Sequence, residues 1–325
     1  MQNQTRRLDS QERLKPSWYD RNKKTLVLMT MALPVALWLL LIRYLPMGGI
    51  VLAFKDYKIN PRNPSFISNL MNSAWVGVKN FEFLFMTKDA GVMFRNTLGY
   101  NFVFIVTGVI IPVTFAIMLN EITKKFVAKA YQTMMFFPYF LSWVVVSYFL
   151  NAFLDAQYGM VPMAQRAAGQ TPISWYTTTG PWPYIIVLAN LWKNVGYTTV
   201  LYLAAITGID TSQYEAAAID GANKWQQIIY VTLPHLRTMI CILFIMNVGK
   251  IFNADFGLFF NVPMQNGALF DVTQVIDTYV YRALMVTGDI SMSAAAGLLQ
   301  NVLGFVCILT ANSVVKHIDP DCSMF

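Results

Sequence analysis

Few side chains in this 325-residue sequence have the spacing that a catalytic or metal-binding site requires. His235 and His317 lie far apart and lack acidic or cysteine partners at ligand spacing. This disfavours both a zinc site and a nucleophilic triad. Cys241 and Cys307 lie in apolar runs and Cys322 lies near the end of the chain, with no paired spacing for a metal or a disulfide.

A nucleotide-binding motif is also missing from the sequence. The dipeptide Gly249-Lys250 is not part of a P-loop, because Phe244 stands where the first glycine belongs and Ile251 follows the lysine. We therefore predict no catalytic residues, no metal ligands and no cofactor bound by this chain.

The polar residues that remain of interest interrupt apolar runs. Ionisable groups inside a membrane are costly, and they often mark the path of a solute. The candidates for such a path are Lys193, Asn194, Lys250, Asn253, Asp255 and Gln300. In the alternative interpretation, the two lysines extend to the membrane surface or pair with a carboxylate. Aromatic residues, 14% of the chain, suit a sugar path and equally a membrane-interface belt.

The elements that must position these residues are membrane spans. Hydrophobic residues make up 56% of the chain and charged residues only 13%, against about a quarter charged in soluble domains. Apolar runs of roughly 17–25 residues, long enough to cross a bilayer as helices, predict an all-α polytopic membrane protein with six spans. The spans are Leu26–Leu45, Asn96–Leu119, Tyr131–Leu154, Tyr184–Ile206, Met239–Phe260 and Ala294–Val314.

The basic residues predict the orientation of these spans, because lysine and arginine near span ends stay cytoplasmic during insertion. A tail at residues 1–25 carries Arg6, Arg7, Arg13, Lys15, Arg21, Lys23 and Lys24, so both termini are expected in the cytoplasm. The first span is too long for a removable signal peptide and lacks a cleavage pattern. Span flanks and anionic lipid explain the net charge of +7 without a nucleic-acid partner.

A polar segment between the fourth and fifth spans is unusual in so apolar a chain. Ser212 and Glu215 form a capping-box pattern that predicts a helix over Gln213–Asp220. Helical spacing puts a narrow surface on one face, made of Tyr214, Ala217, Ala218 and Gly221. Such a face suits close approach by another protein and lacks the large apolar area of a lipid-bound helix.

Gly221 is predicted to break this helix, and a second helical piece over Lys224–Thr232 is predicted to end at Pro234. The same segment carries a recognisable signature: E-A-A, three residues, Gly, nine residues, a branched apolar residue, one residue, Leu-Pro. The matching residues are Glu215, Ala216, Ala217, Gly221, Val231, Leu233 and Pro234, and only Val231, where Ile is usual, departs from the pattern.

In this signature the chain resembles the permease subunits of binding-protein-dependent ABC importers of the carbohydrate-uptake type. Stretches at 191–197, 247–264 and 276–284 resemble the subgroup that handles oligosaccharides or polysaccharide fragments. The resemblance implies a type I ABC importer permease fold, with a permease domain at 26–319, a cytoplasmic coupling loop at 207–236 and a tail at 320–325. The coupling residues that it implies are Tyr214, Glu215, Ala216, Ala217, Asp220, Gly221, Leu233 and Pro234.

The resemblance also implies partners. Two cytoplasmic ATPase subunits would bind ATP and magnesium and receive the coupling helix, with Glu215 in contact and the two alanines allowing close seating. A second, similar permease would complete the pore as a heterodimer in a bacterial cell membrane. An extracellular binding protein would deliver an oligosaccharide.

Three other interpretations are weaker. An ABC permease for a non-sugar solute would carry the same signature. A self-sufficient secondary transporter would need ion-coupling carboxylates in its span centres, a requirement that only Asp255 approaches. A membrane-embedded enzyme would need a catalytic constellation that the sequence lacks.

Overall fold

A computed structural model describes residues 18–62, 65–87 and 89–324. The basic residues Arg6, Arg7, Arg13 and Lys15 of the predicted tail lie outside this range. The chain divides into two compact units, one up to residue 51 and one from residue 52 onward. The first unit contains a helix that begins at Trp18 and passes through a π-helical turn, Leu40–Tyr44.

The second unit is almost wholly helical. The α-helices of the described residues are α1 Trp18–Leu39, α2 Phe66–Asn72, α3 Phe83–Met86, α4 Ala90–Asn120, α5 Lys125–Phe136, α6 Trp143–Leu154, α7 Met160–Ala167, α8 Trp182–Thr207, α9 Thr211–Ile219, α10 Lys224–Gln227, α11 Leu233–Val248, α12 Phe256–Asn261, α13 Phe270–Thr273, α14 Ile276–Thr287 and α15 Ile290–Ile318. Two short antiparallel strands, β1 Lys55–Asp56 and β2 Ala74–Trp75, pair Lys55 with Trp75.

Four helical runs in the described residues are long and apolar enough to cross a membrane. They are Asn22–Phe54, Ala90–Asn120, Lys224–Val248 and Ile290–Ile318. The predicted first, second and sixth spans lie inside three of these runs. The predicted fourth span coincides with α8, which has 26 residues but is not among the apolar candidates. Polar residues at its middle, including Asn190, Lys193 and Asn194, lower its hydropathy.

The predicted third span, Tyr131–Leu154, is not one straight helix. The helical segment that ends at Phe140 and helix α6 meet at an angle of 99°, so that the pair is either one broken span or a re-entrant loop. Pro138 lies in the 3₁₀ turn before the break, and Leu141 and Ser142 are extended. The Ser142 hydroxyl then accepts a hydrogen bond from the Val145 N–H and starts α6. Pro138 therefore lies directly before the bend, where a proline ends a regular helix.

The bounds of the predicted fifth span, Met239–Phe260, are also wrong. Helical structure is continuous from Lys224 to Val248, and residues 249–255 then form an unwound turn before α12. The apolar run continues past residue 248, so apolar content did not predict that the helix ends there. Gly249 and the polar residues after it favour a turn. Asp255 then caps α12 by accepting a hydrogen bond from the Leu258 N–H.

Three clusters of buried apolar side chains hold the second unit together. One packs α4 and α8 against α12 through Tyr100, Trp182 and Phe259. A second packs the other halves of α4 and α8 against α11, and a third joins α3 and α4 to α14 and α15. Among the helix pairs, α4 and α8 pack against each other over the longest contact. Side chains beside the middle of these two helices are therefore held in a well-packed part of the fold.

Candidate functional site

The polar segment after α8 begins with a capped helix. The N-cap of α9 is Asp210, whose carboxylate accepts a hydrogen bond of 2.9 Å from the Ser212 backbone N–H. This bond holds the pKa of Asp210 below its usual value. The predicted capping box from Ser212 to Glu215 is wrong, because Asp210 is already extended and α9 starts at Thr211.

The end of α9 is a glycine turn. Gly221 has a φ of +84°, which is the left-handed region. The Gly221 N–H donates to the Ala218 carbonyl at 3.1 Å, and the Ala222 N–H donates to the Ala217 carbonyl at 2.9 Å. These two bonds form a Schellman motif, which satisfies the last carbonyls of the helix and needs a residue that tolerates positive φ.

Replacing Gly221 with alanine is expected to weaken this turn by about 1–2 kcal/mol, the cost of placing a side chain in the left-handed region. A Cβ at this position would meet nothing within 4 Å, so the effect is conformational. Hydrogen exchange at the Ala222 amide measures it, with Gly221→Asn as a milder variant because asparagine tolerates this region better. Equal protection in the wild type and Gly221→Ala would contradict the expectation.

The second helical piece does not end at Pro234 as predicted. Asn223 and Gln226 form the capping box of α10, and a π-helical stretch, Ile228–Thr232, leads directly into α11. Pro234 lies in the first turn of α11, where the wider π turn precedes it and its missing N–H is tolerated. One continuous helical run therefore connects the polar segment to residue 248.

The exposed face of α9 differs from the predicted one. The side chains of Glu215, Ala216, Ala218 and Asp220 are exposed, whereas Tyr214 is half-buried and its hydroxyl lies 3.0 Å from the Thr232 hydroxyl. Ala217 is half-buried as well. Of the remaining predicted coupling residues, Gly221 and Pro234 are exposed and Leu233 is half-buried.

Sequence reasoning missed the apolar part of this surface. Ile219 is 86% exposed, and Trp225 and Tyr230 are 73% and 75% exposed. Helical spacing could have found Ile219, because it lies one turn after Glu215. The segment is tied to the connection after α4 by an ion pair of 3.2 Å between Lys224 and Glu121. Together with the charged residues beside them, Ile219 and Trp225 make an exposed surface, apolar with a charged rim, that suits a protein partner.

A polar cavity of about 560 Å³ lies beside the middle of α4 and α8. Four predicted path residues line it: Asn194, Lys250, Asn253 and Asp255. Lys193 lies outside the lining, where its ammonium donates to the Tyr139 carbonyl at 2.7 Å and lies over the rings of Tyr139 and Trp143. Gln300 is outside the lining too and belongs to the support of the unwound turn described below.

Several lining residues were not predicted. They include Asn101, Asn190, Tyr197, Thr198 and Asn247. The sequence could have predicted the contribution of α8 to this lining. Its polar residues recur at helical spacing and form one stripe: Asn190, Asn194, Tyr197 and Thr198. The Tyr197 ring stacks on Tyr139 with centroids 4.6 Å apart, which extends the cavity wall with aromatic surface.

The unwound turn at residues 249–255 is supported by side chains of three helices. Asn101 of α4 donates to the Ile251 carbonyl at 2.8 Å and to the Asn253 carbonyl at 3.1 Å. Gln300 of α15 donates to the Phe252 carbonyl at 2.7 Å. Non-helical backbone is tolerated at membrane depth only where protein or water satisfies its polar groups.

The third support is Asp277 of α14. Its Oδ2 accepts hydrogen bonds from the Ala254 N–H at 2.8 Å and from the Gln300 amide at 3.2 Å. We call Asn101, Gln300 and Asp277 the clamp. Because the clamp fixes the backbone of the turn, it also fixes how Lys250, Asn253 and Asp255 are presented to the cavity.

Comparison with known proteins places these features in context. Residues 105–322 match the family described as binding-protein-dependent transport system inner membrane component. Protein LplB of Bacillus subtilis (strain 168) is 32% identical over 94% of this chain and 93% of its own length. The polygalacturonan/rhamnogalacturonan transport system permease protein YteP of the same strain is 31% identical over 89% of this chain and 87% of its own.

A solved structure is similar as well. A chain of the bacterial alginate ABC transporter, crystallised in complex with an alginate pentasaccharide-bound periplasmic protein, is 29% identical to this chain with a TM-score of 0.80. The match covers 93% of this chain and 98% of that one.

Proposed function

Since this chain belongs to the family of inner membrane components of binding-protein-dependent transport systems, where it is a pore-forming permease, we propose that it carries an oligosaccharide into the cytoplasm. The polar cavity is the observation that carries this proposal. Asn247 and Asn253 offer donors and acceptors for sugar hydroxyls, and the exposed Tyr197 offers aromatic surface. The cavity volume is within the range of small-molecule sites. The names of two proteins similar to this chain, the polygalacturonan/rhamnogalacturonan permease YteP and the alginate transporter, support the same solute class.

The surface of α9 would receive a cytoplasmic ATPase subunit. Glu215 and Ile219 are exposed on α9, and hydrogen bonds cap both ends of this helix. A displacement of α9 by the ATPase would therefore move the continuous helical run that follows it, which includes α11 and part of the cavity wall. ATP and magnesium would be bound by two such subunits. Rigid-body movement of the helices would then expose the cavity to one side of the membrane at a time.

The rest of the assembly follows the same proposal. An extracellular binding protein would deliver the solute, and a second, similar permease would complete the pore. Both termini would lie in the cytoplasm of a bacterial cell, with α8 and the bent pair of α5 and α6 completing six crossings. Polar residues of α8 would be accommodated because they face the cavity rather than lipid.

Glu215→Lys tests the coupling surface. Reversing the charge at an interface centre is expected to reduce retention of the ATPase on the purified permease, and solute uptake, by about 10-fold or more. Co-purification and uptake into vesicles measure both effects. The matched control is Glu82→Lys, an exposed charge reversal remote in sequence from α9, which should keep the ATPase bound. Full ATPase retention and uptake in Glu215→Lys would refute the coupling role.

A further inference from the structure

The polar cavity contains a cation, Lys250, that has no hydrogen-bond or ion-pair partner among the described residues. Lys250 is exposed on the unwound turn and lines the cavity, and within the described part of the chain its ammonium makes no hydrogen bond or ion pair. A charge placed among packed helices is costly, so that such a group usually pairs with another charge or serves a ligand.

Three other cations of the helical bundle lie outside the lining of the polar cavity and contact other groups. Lys193 donates to the Tyr139 carbonyl. Arg95 donates to the Asp271 carbonyl at 2.6 Å, and Arg282 lies 4.0 Å from the centre of the Phe270 ring.

The carboxylate on the cavity wall is already engaged. Asp255 accepts a hydrogen bond of 2.8 Å from the Trp143 indole N–H and one of 3.2 Å from the Leu258 N–H. Lys193 adds an electrostatic attraction to the same carboxylate. No ion pair joins Asp255 to Lys250 among the residues that the structure describes. In the lining of the polar cavity, Lys250 is therefore the basic residue that a solute can contact, and no described side chain accepts a hydrogen bond from its ammonium.

We propose that Lys250 binds a carboxylate of the solute, so that the oligosaccharide carried is acidic and contains uronate units. This proposal rests on the proposed function and narrows its substrate class. A carboxylate gives Lys250 a charge-assisted hydrogen bond, which a neutral sugar cannot match. The side-chain amides of Asn247 and Asn253, which also line the cavity, can bind hydroxyls of the same sugar unit.

The clamp also fixes the position of Lys250, so that an acidic sugar would be recognised by geometry as well as by charge. Asn101 and Gln300 hold the carbonyls that directly follow Lys250, so the turn cannot swing the lysine out of the cavity without breaking those bonds. A fixed cation binds an anion with less loss of conformational freedom than a mobile one.

The test uses the whole transporter, purified through this chain with its co-expressed partners and reconstituted in vesicles. The probes are tetragalacturonate, its fully methyl-esterified form and neutral maltotetraose. Lys250→Gln is expected to lower tetragalacturonate uptake by about 10- to 100-fold, the range for losing a charge-assisted hydrogen bond, and to leave uptake of the ester unchanged. Lys250→Arg keeps the charge and should retain most uptake. Lys316→Gln, the same loss of charge at the end of α15, should behave as the wild type.

Each other outcome overturns the proposal in a different way. If Lys250→Gln imports tetragalacturonate as well as the wild type, or loses both acid and ester equally, Lys250 does not bind a carboxylate. If the wild type imports the ester or maltotetraose but not tetragalacturonate, oligosaccharide import stands and the acidic class fails. If none of the three sugars enters, the proposed function fails together with this narrower one.

Discussion

Replacing Gly196 with alanine is expected to destabilise the folded permease by about 3 kcal/mol or more. Gly196 lies in the middle of α8, and a Cβ built on it would overlap the backbone of Met135 and Phe136 in α5. A clash with backbone cannot be relieved by a change of rotamer, so that α5 and α8 would have to separate. Thermal unfolding of the purified protein measures the loss, as does the yield of monodisperse protein.

Gly99→Ala is the matched control for this change. Gly99 also lies inside a long helix, α4, but a Cβ there would meet nothing within 4 Å. Alanine is favoured over glycine in a helix interior by about 1 kcal/mol, so this variant should be as stable as the wild type or slightly more so. A Gly196→Ala protein that unfolds at the wild-type temperature would show that α5 and α8 do not approach this closely.

Replacing Asp277 with alanine is the second change expected to have a large effect. The Ala254 N–H would lose its acceptor, and the Gln300 amide would lose one of its two. A buried donor without a partner costs about 1–3 kcal/mol, and the unwound turn would gain other conformations. We expect solute uptake to fall by about 10-fold or more and hydrogen exchange at the Ala254 amide to increase.

Asp277→Asn separates geometry from charge. Both hydrogen bonds reach the same carboxylate oxygen, Oδ2, so the amide oxygen of asparagine can accept both without a negative charge. Uptake and protection of the Ala254 amide should therefore stay close to wild type. If the asparagine variant is as impaired as Asp277→Ala, the charge itself matters. Wild-type uptake in Asp277→Ala would show that the clamp does not control the turn.

The sequence alone was sufficient for the family and for the helical membrane character. Apolar runs report how each residue partitions between water and lipid, and this property does not depend on neighbours in space. The E-A-A to Leu-Pro signature identified the permease family, which the match over residues 105–322 confirms. The turn at Gly221 was predictable for a similar reason, because its Schellman motif uses only residues within five positions of each other.

Local patterns failed where several signals compete over a few residues. Asp210 rather than Ser212 caps α9, since both residue types are good caps and only the backbone conformation selects one. The helix passes through Pro234 because a π turn precedes it, and no sequence pattern used here predicts that turn.

Only the tertiary structure decided what the polar residues in the apolar runs do. Lys193, Lys250 and Gln300 look alike in sequence, as polar groups that a lipid environment disfavours. In the fold, Lys193 donates to the Tyr139 carbonyl and Gln300 supports the unwound turn, while Lys250 lines the cavity and has no hydrogen-bond partner among the described residues. The partners of Lys193 and Gln300 lie more than 45 positions away in the chain. A buried polar group takes its role from the groups that satisfy it, and only folding brings those groups within hydrogen-bonding distance.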